Sequence, residues 1–105
     1  MVAGLLEGKV AIITGSGRGI GRADALLFAE HGASVVVNDL QEEPAQEVVA
    51  EIKKMGGKAI ACAGSVADAA FPNKIVEATI KAFGKLDILV NNADFTWDSV
   101  IQNMT

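Results

Sequence analysis

The sequence predicts an α/β fold: a doubly wound parallel sheet with strand order 3-2-1-4, truncated after its fourth strand. Short β-branched apolar runs alternate strictly with helical segments across the first 90 residues, the pattern of βαβ units. Connections of only a few residues leave right-handed crossovers as the accessible topology. A glycine-rich turn joins the first strand to the first helix, which fixes where the winding begins.

Each element has a local reason. Lys9–Thr14 is an apolar run ending at glycine and reads as a buried strand. A helix follows from Gly19 to His31, with Ile20, Ala23 and Leu27 at helical spacing and Gly32 as its stop. Ser34–Asn38 is the second strand. Glu42-Glu43-Pro44 opens the second helix with the acidic residues and proline that a helix start favours. Its apolar stripe is Ala45, Val48, Val49 and Ile52, and Gly56-Gly57 ends it. Lys58–Cys62 is the third strand. Asp68 is placed to cap a third helix, with Pro72 in its first turn or so, Val76, Ile80 and Phe83 along one side, and Gly84 as its stop. Leu86–Val90 is the fourth strand. Residues 1–94 form one expected domain, and 95–105 a weakly structured tail holding Phe95 and Trp97, a pair suited to packing or a partner contact.

Bulk properties narrow the function classes. The 105 residues are half hydrophobic, with mean hydropathy +0.34. Strands covered on both faces account for that richness. No apolar run approaches the roughly 18 residues needed to cross a bilayer. The net charge of −4 comes without a basic cluster, so neither nucleic acid nor an anionic membrane is an expected partner. The opening residues lack the pattern of a signal peptide, and the single cysteine, Cys62, permits no internal disulfide. These features point to the cytoplasm, and on that ground the sequon at Asn103 is read as coincidental. His31 stands at a helix end, where a cation suits the dipole, and Cys62 reads as a small buried apolar residue. No His/Cys/Asp/Glu grouping has metal-ligand spacing, so no metal is expected.

The chemistry concentrates in Thr14-Gly15-Ser16-Gly17-Arg18-Gly19-Ile20-Gly21. A pyrophosphate requires backbone without β-carbons and free N–H groups at the positive end of a helix dipole. Four glycines supply the first, and a helix starting at Gly19 supplies the second. Asp39 follows the second strand, where a carboxylate can accept hydrogen bonds from adenosine ribose hydroxyls and repel a 2′-phosphate. No Arg or Lys stands at 38, 40 or 41 to receive such a phosphate, although Arg18 could partly serve. NAD is therefore favoured over NADP.

The segment does not satisfy G-x-G-x-x-G, because the sixth residue is Ile20 counted from Gly15 and Arg22 counted from Gly17. It does match Thr-Gly-x-x-x-Gly-Ile-Gly and thereby resembles the short-chain dehydrogenase/reductase family, whose half-domain is Rossmann-type. The resemblance is carried further by Asp39, by Gly64-Ser65-Val66-Ala67-Asp68 after the third strand, and by Leu86–Ala93, similar to the family's Asn-Asn-Ala-Gly run. It implies a nicotinamide dinucleotide contacted by Gly15, Ser16, Gly17, Arg18, Gly19, Ile20, Gly21, Asp39, Leu40, Ser65, Val66, Asn92 and Ala93. Within the family the subtypes most similar are 3-oxoacyl reductases and hydroxyacyl dehydrogenases, which interconvert a hydroxyl and a ketone.

Two positions depart from the family pattern. Ser65 stands where an acid is usual, which exchanges a charge-assisted hydrogen bond to adenine for a neutral one, a loss of about 1 kcal/mol. Asp94 replaces the last glycine of the run, adding a β-carbon and a negative charge. The resemblance also implies a catalytic serine and a Tyr-x-x-x-Lys pair further along, and this sequence contains no tyrosine. No catalytic residue is therefore assigned within it. The expectation is the cofactor-binding half of an oxidoreductase, inactive alone, with a non-catalytic nucleotide-binding module or an inactive truncated fragment as alternatives. An exposed strand-four edge suggests self-association or a partner chain.

Overall fold

The computed structural model describes residues 4–92. Ala93, Asp94 and the expected tail with Phe95, Trp97 and the sequon lie outside the described residues. Strand and helix alternate as β1 (Val10–Ile13), α1 (Gly19–Glu30), β2 (Ser34–Val37), α2 (Glu42–Lys54), β3 (Lys58–Ala61), α3 (Phe71–Phe83) and β4 (Ile88–Val90). The strands form one parallel sheet in the order β3-β2-β1-β4. Register aligns Val10 with Ser34, Ser34 with Lys58 and Ala11 with Ile88, so the C-terminal ends of all four strands share one side.

The pleat sorts apolar side chains to two faces. Ile13, Val35, Val37 and Ala59 face α1 and α2, where Ala25, Ala29, Val48, Val49 and Ile52 meet them. Ile12, Val36 and Cys62 face α3 through Phe71 and Ile75. The stripe expected for α2 is the buried one, with Glu42 and Glu43 in the first turn and Lys53 and Lys54 in the last, as the helix dipole favours. Gly32, Gly56 and Gly84 follow the three helices at φ +98°, +86° and +81°, the left-handed geometry that closes a helix.

Two helical faces differ from expectation. On α1, Ile20 and Leu27 are 77% and 50% exposed, and the residues against the sheet are Gly21, Ala25 and Ala29. Small residues win that face because the helix lies too close for anything larger: a β-carbon on Gly21 would stand 2.2 Å from the Gly15 carbonyl oxygen. On α3, Ile80 is exposed, while Phe71, Ile75 and Thr79 are buried, with Val76 and Phe83 half-buried. Thr79 can occupy the core because its hydroxyl donates to the Ile75 carbonyl within the same helix, at 2.7 Å.

Asp68 caps a turn rather than the helix itself. Its carboxylate accepts from the Ala70 N–H at 2.9 Å, and α3 begins one residue later with Pro72 in its first turn. Strand four is also shorter than expected. The Asp87 side chain accepts from the Val10 N–H at 2.9 Å while the Asp87 N–H donates to the Val10 carbonyl. A carboxylate thus replaces one backbone partner, and the regular ladder starts at Ile88.

Candidate functional site

The segments after β1, β2, β3 and β4 meet at the C-terminal side of the sheet. Asn38, 2% exposed, ties the first three of them. Its side-chain oxygen accepts from the Gly15 N–H at 3.1 Å, and its amide nitrogen donates to the carbonyls of Cys62 at 3.0 Å and Gly64 at 3.2 Å. The Gly64 N–H in turn donates to the Asp39 carbonyl at 2.9 Å. Thr14 performs the same task toward β4, its hydroxyl oxygen accepting from the Asn92 N–H at 3.0 Å. Asn38 and Thr14 were absent from the sequence-derived set; the signal available was a polar residue at the last position of an otherwise apolar strand.

The glycine turn is shaped by contacts on both sides. Gly15 and Gly19 have φ of +60° and +61°, which glycine adopts without strain. A β-carbon on Gly17 would stand 2.4 Å from Asp39 Oδ2, and one on Gly19 would meet nothing within 4 Å. Close packing at Gly17 and Gly21 and open space over Gly19 make a shallow cradle. At its floor α1 begins, and Arg18 in the N-cap position makes no side-chain capping bond. The first-turn N–H groups of any helix lack intrahelical acceptors, so this helix start presents donors with no built-in partner.

Ser16 takes a different place from the one expected. It is fully buried, its hydroxyl donating to the Ile13 carbonyl at 2.6 Å and its N–H donating to the Asn38 carbonyl at 2.7 Å. Both its donors are spent inside the protein, so Ser16 shapes the turn. Val66 likewise packs its side chain on the Phe71 cluster. The Ser65 hydroxyl accepts from the Ala67 N–H at 3.0 Å, a local turn that leaves its proton to donate.

Asp39 is 6% exposed and accepts from the Gln41 N–H at 3.1 Å. Arg18 reaches it with both arms of the guanidinium, Nε to Oδ2 at 3.4 Å and a terminal nitrogen to Oδ1 at 3.3 Å. The sequence treats these as separate features; the structure pairs them. Leu40 and Ile20 stay 71% and 77% exposed, and are apolar surface at the ends of β2 and the turn. The Asn92 side chain reaches Asp24 on α1 at 3.5 Å. Of the sequence-derived residues, those from Gly15 to Gly21, Asp39, Leu40, Ser65, Val66 and Asn92 share this side of the sheet, and Ala93 lies outside the described residues. Cys62 is buried beneath it, and burial pushes its thiol pKa up. Among the described residues no group of three His, Cys, Asp or Glu could hold a metal ion, and no helix is long and apolar enough to cross a membrane.

The short chain dehydrogenase family model matches residues 9–105. The chain belongs to this family. It is 52% identical to the peroxisomal multifunctional enzyme type 2 of Drosophila melanogaster, covering 88% of this chain and 16% of that protein. It is 48% identical to the 7alpha-hydroxysteroid dehydrogenase of Escherichia coli K12, covering 84% of this chain and 34% of that one. A crystal structure of an Escherichia coli hydroxysteroid dehydrogenase superposes with a TM-score of 0.83 at 47% identity, over 86% of this chain and 38% of that one. The chain thus spans well under half the length of these relatives. The family is one of oxidoreductases for which nicotinamide dinucleotide binding is expected.

Proposed function

We propose that this chain is the cofactor-binding half of a short-chain oxidoreductase and that it holds NAD in preference to NADP. The observation that supports this best is the placement of the Asp39 carboxylate directly against Gly17, within reach of the uncapped start of α1. The donors at that helix start suit a pyrophosphate, and the carboxylate suits a ribose diol and opposes a 2′-phosphate. The residues fit such a ligand: open space over Gly19 leaves room for it, and exposed Ile20 and Leu40 offer apolar contact.

In this reading the backbone of Gly15, Gly17, Gly19, Ile20 and Gly21 binds the phosphates, Asp39 orients the ribose, and Leu40, Ser65 and Val66 bound the adenine. Asn92 and Ala93 take the nicotinamide-side ribose. The dinucleotide supplies hydride transfer when bound. The sequence has no tyrosine to move a proton, so turnover requires residues beyond these 105. The substrate class we propose for the complete catalyst is a secondary alcohol or hydroxyacyl thioester and its ketone, in keeping with the hydroxysteroid named for the Escherichia coli relative.

Titration calorimetry tests the reading: micromolar NAD affinity, with NADP and the Asp39→Ala variant each about tenfold weaker or more. Equal affinity of wild type and Asp39→Ala would overturn it. We also propose that β4, which pairs only with β1 among the described residues, is covered by a second copy or a partner chain. We place the protein in the cytoplasm, in keeping with its free, buried Cys62. Co-localisation with a peroxisomal marker, the compartment in the fly relative's name, would contradict that.

A further inference from the structure

We infer that Arg18 is an internal competitor for Asp39, so that a ribose can use this carboxylate only by displacing the guanidinium. This rests on the reading of Asp39 as the ribose acceptor. A carboxylate offers about four acceptor directions on its two oxygens. Oδ1 already accepts from Arg18 at 3.3 Å and from the Gln41 N–H at 3.1 Å, which uses both of its lone pairs. Oδ2 accepts from Arg18 Nε at 3.4 Å and sits close against Gly17, where an added β-carbon would stand 2.4 Å from it. A vicinal diol needs two acceptors and finds both oxygens already engaged by Arg18.

The exposures fix which partner moves. The Asp39 side chain is 7% exposed and anchored by the Gln41 N–H, whereas the Arg18 side chain is 66% exposed. Arg18 therefore approaches the carboxylate from the more exposed side and is the partner that can move toward water. Both of its contacts exceed the usual 2.9–3.0 Å of an N–H···O bond, so the competitor is weakly held. It lowers affinity without closing the site.

Neutral adenosine is the probe, because it carries the diol without a phosphate that a cation would attract. Its binding can be followed by amide NMR shifts of Gly17 and Leu40 in the full chain. Arg18→Ala is expected to bind adenosine about two- to fivefold more tightly than wild type, because the Arg18 side of the pair is solvent-exposed and weakly held. The gain should vanish with 2′-deoxyadenosine, which lacks one of the two donors. An unchanged thermal midpoint confirms that the variant folds. Adenosine affinity equal to or weaker than wild type in Arg18→Ala would overturn the competition. So would an absence of adenosine shifts in both chains, and the NAD titration of Asp39→Ala then tells separately whether the cofactor reading stands.

Discussion

Gly17 and Gly21 are both crowded, but by neighbours of different kinds. At Gly21 the obstacle is the Gly15 backbone carbonyl, 2.2 Å from an added β-carbon; at Gly17 it is the Asp39 carboxylate at 2.4 Å. Neither gives way easily: the Gly15 carbonyl is backbone, and at Gly17 the Asp39 Cβ, the root of a buried and anchored side chain, would stand only 2.8 Å away as well. Gly21→Ala and Gly17→Ala should therefore each lower stability by about 1–3 kcal/mol in urea unfolding, and Gly17→Ala should in addition displace Asp39 and weaken NAD binding. An unchanged NAD affinity in Gly17→Ala would contradict the contact between the turn and Asp39. Asp87 offers a pH test. The Val10 N–H, and then Lys85 at 3.2 Å, hold its carboxyl below the ordinary carboxylate range. A folded value below the unfolded one contributes stability above the unfolded value, and that contribution is lost as pH falls through the folded value. Asp87→Asn should be less stable than wild type near neutral pH, and the gap should close in strong acid. A gap independent of pH would show that the carboxylate charge is not what joins β4 to β1.

At the scale of the elements, α2 was fully legible because each position of its buried stripe is a plainly apolar residue. The stripes of α1 and α3 were not, for two physical reasons. Side-chain size misleads on α1: the close approach of the helix to the glycine turn demands Gly21, Ala25 and Ala29 inward, leaving the larger Ile20 and Leu27 outward. Polarity misleads on α3, where Thr79 satisfies its own hydroxyl and enters the core. Substitution separates the faces. Ile75→Ala should cost about 2–5 kcal/mol as a core truncation, while Ile80→Gln should stay within about 0.5 kcal/mol as a surface change. Similar costs at the two positions would restore the face that the sequence suggested.

Across the whole molecule, the glycine turn, Asp39 and the 3-2-1-4 sheet were readable because each is a local pattern or follows from topology. The links between segments were not, since Asn38 to Gly64 and Arg18 to Asp39 join residues more than 20 positions apart in sequence and depend on register. Those links make the C-terminal side of the sheet one connected surface. β4 at the sheet edge should make the purified chain associate, read as a mass above 10.9 kDa in sedimentation; a monodisperse monomer with cooperative unfolding would contradict that. The most direct test of the account is an amide NMR titration of the 105-residue chain with NAD. Shifts are expected to be confined to Gly15–Gly21, Asp39–Leu40, Gly64–Val66 and Asn91–Asn92, with none at Gly32, Gly56 or Gly57 at the opposite ends of the strands. Saturating NAD that shifts nothing, or that shifts the opposite end instead, would contradict it.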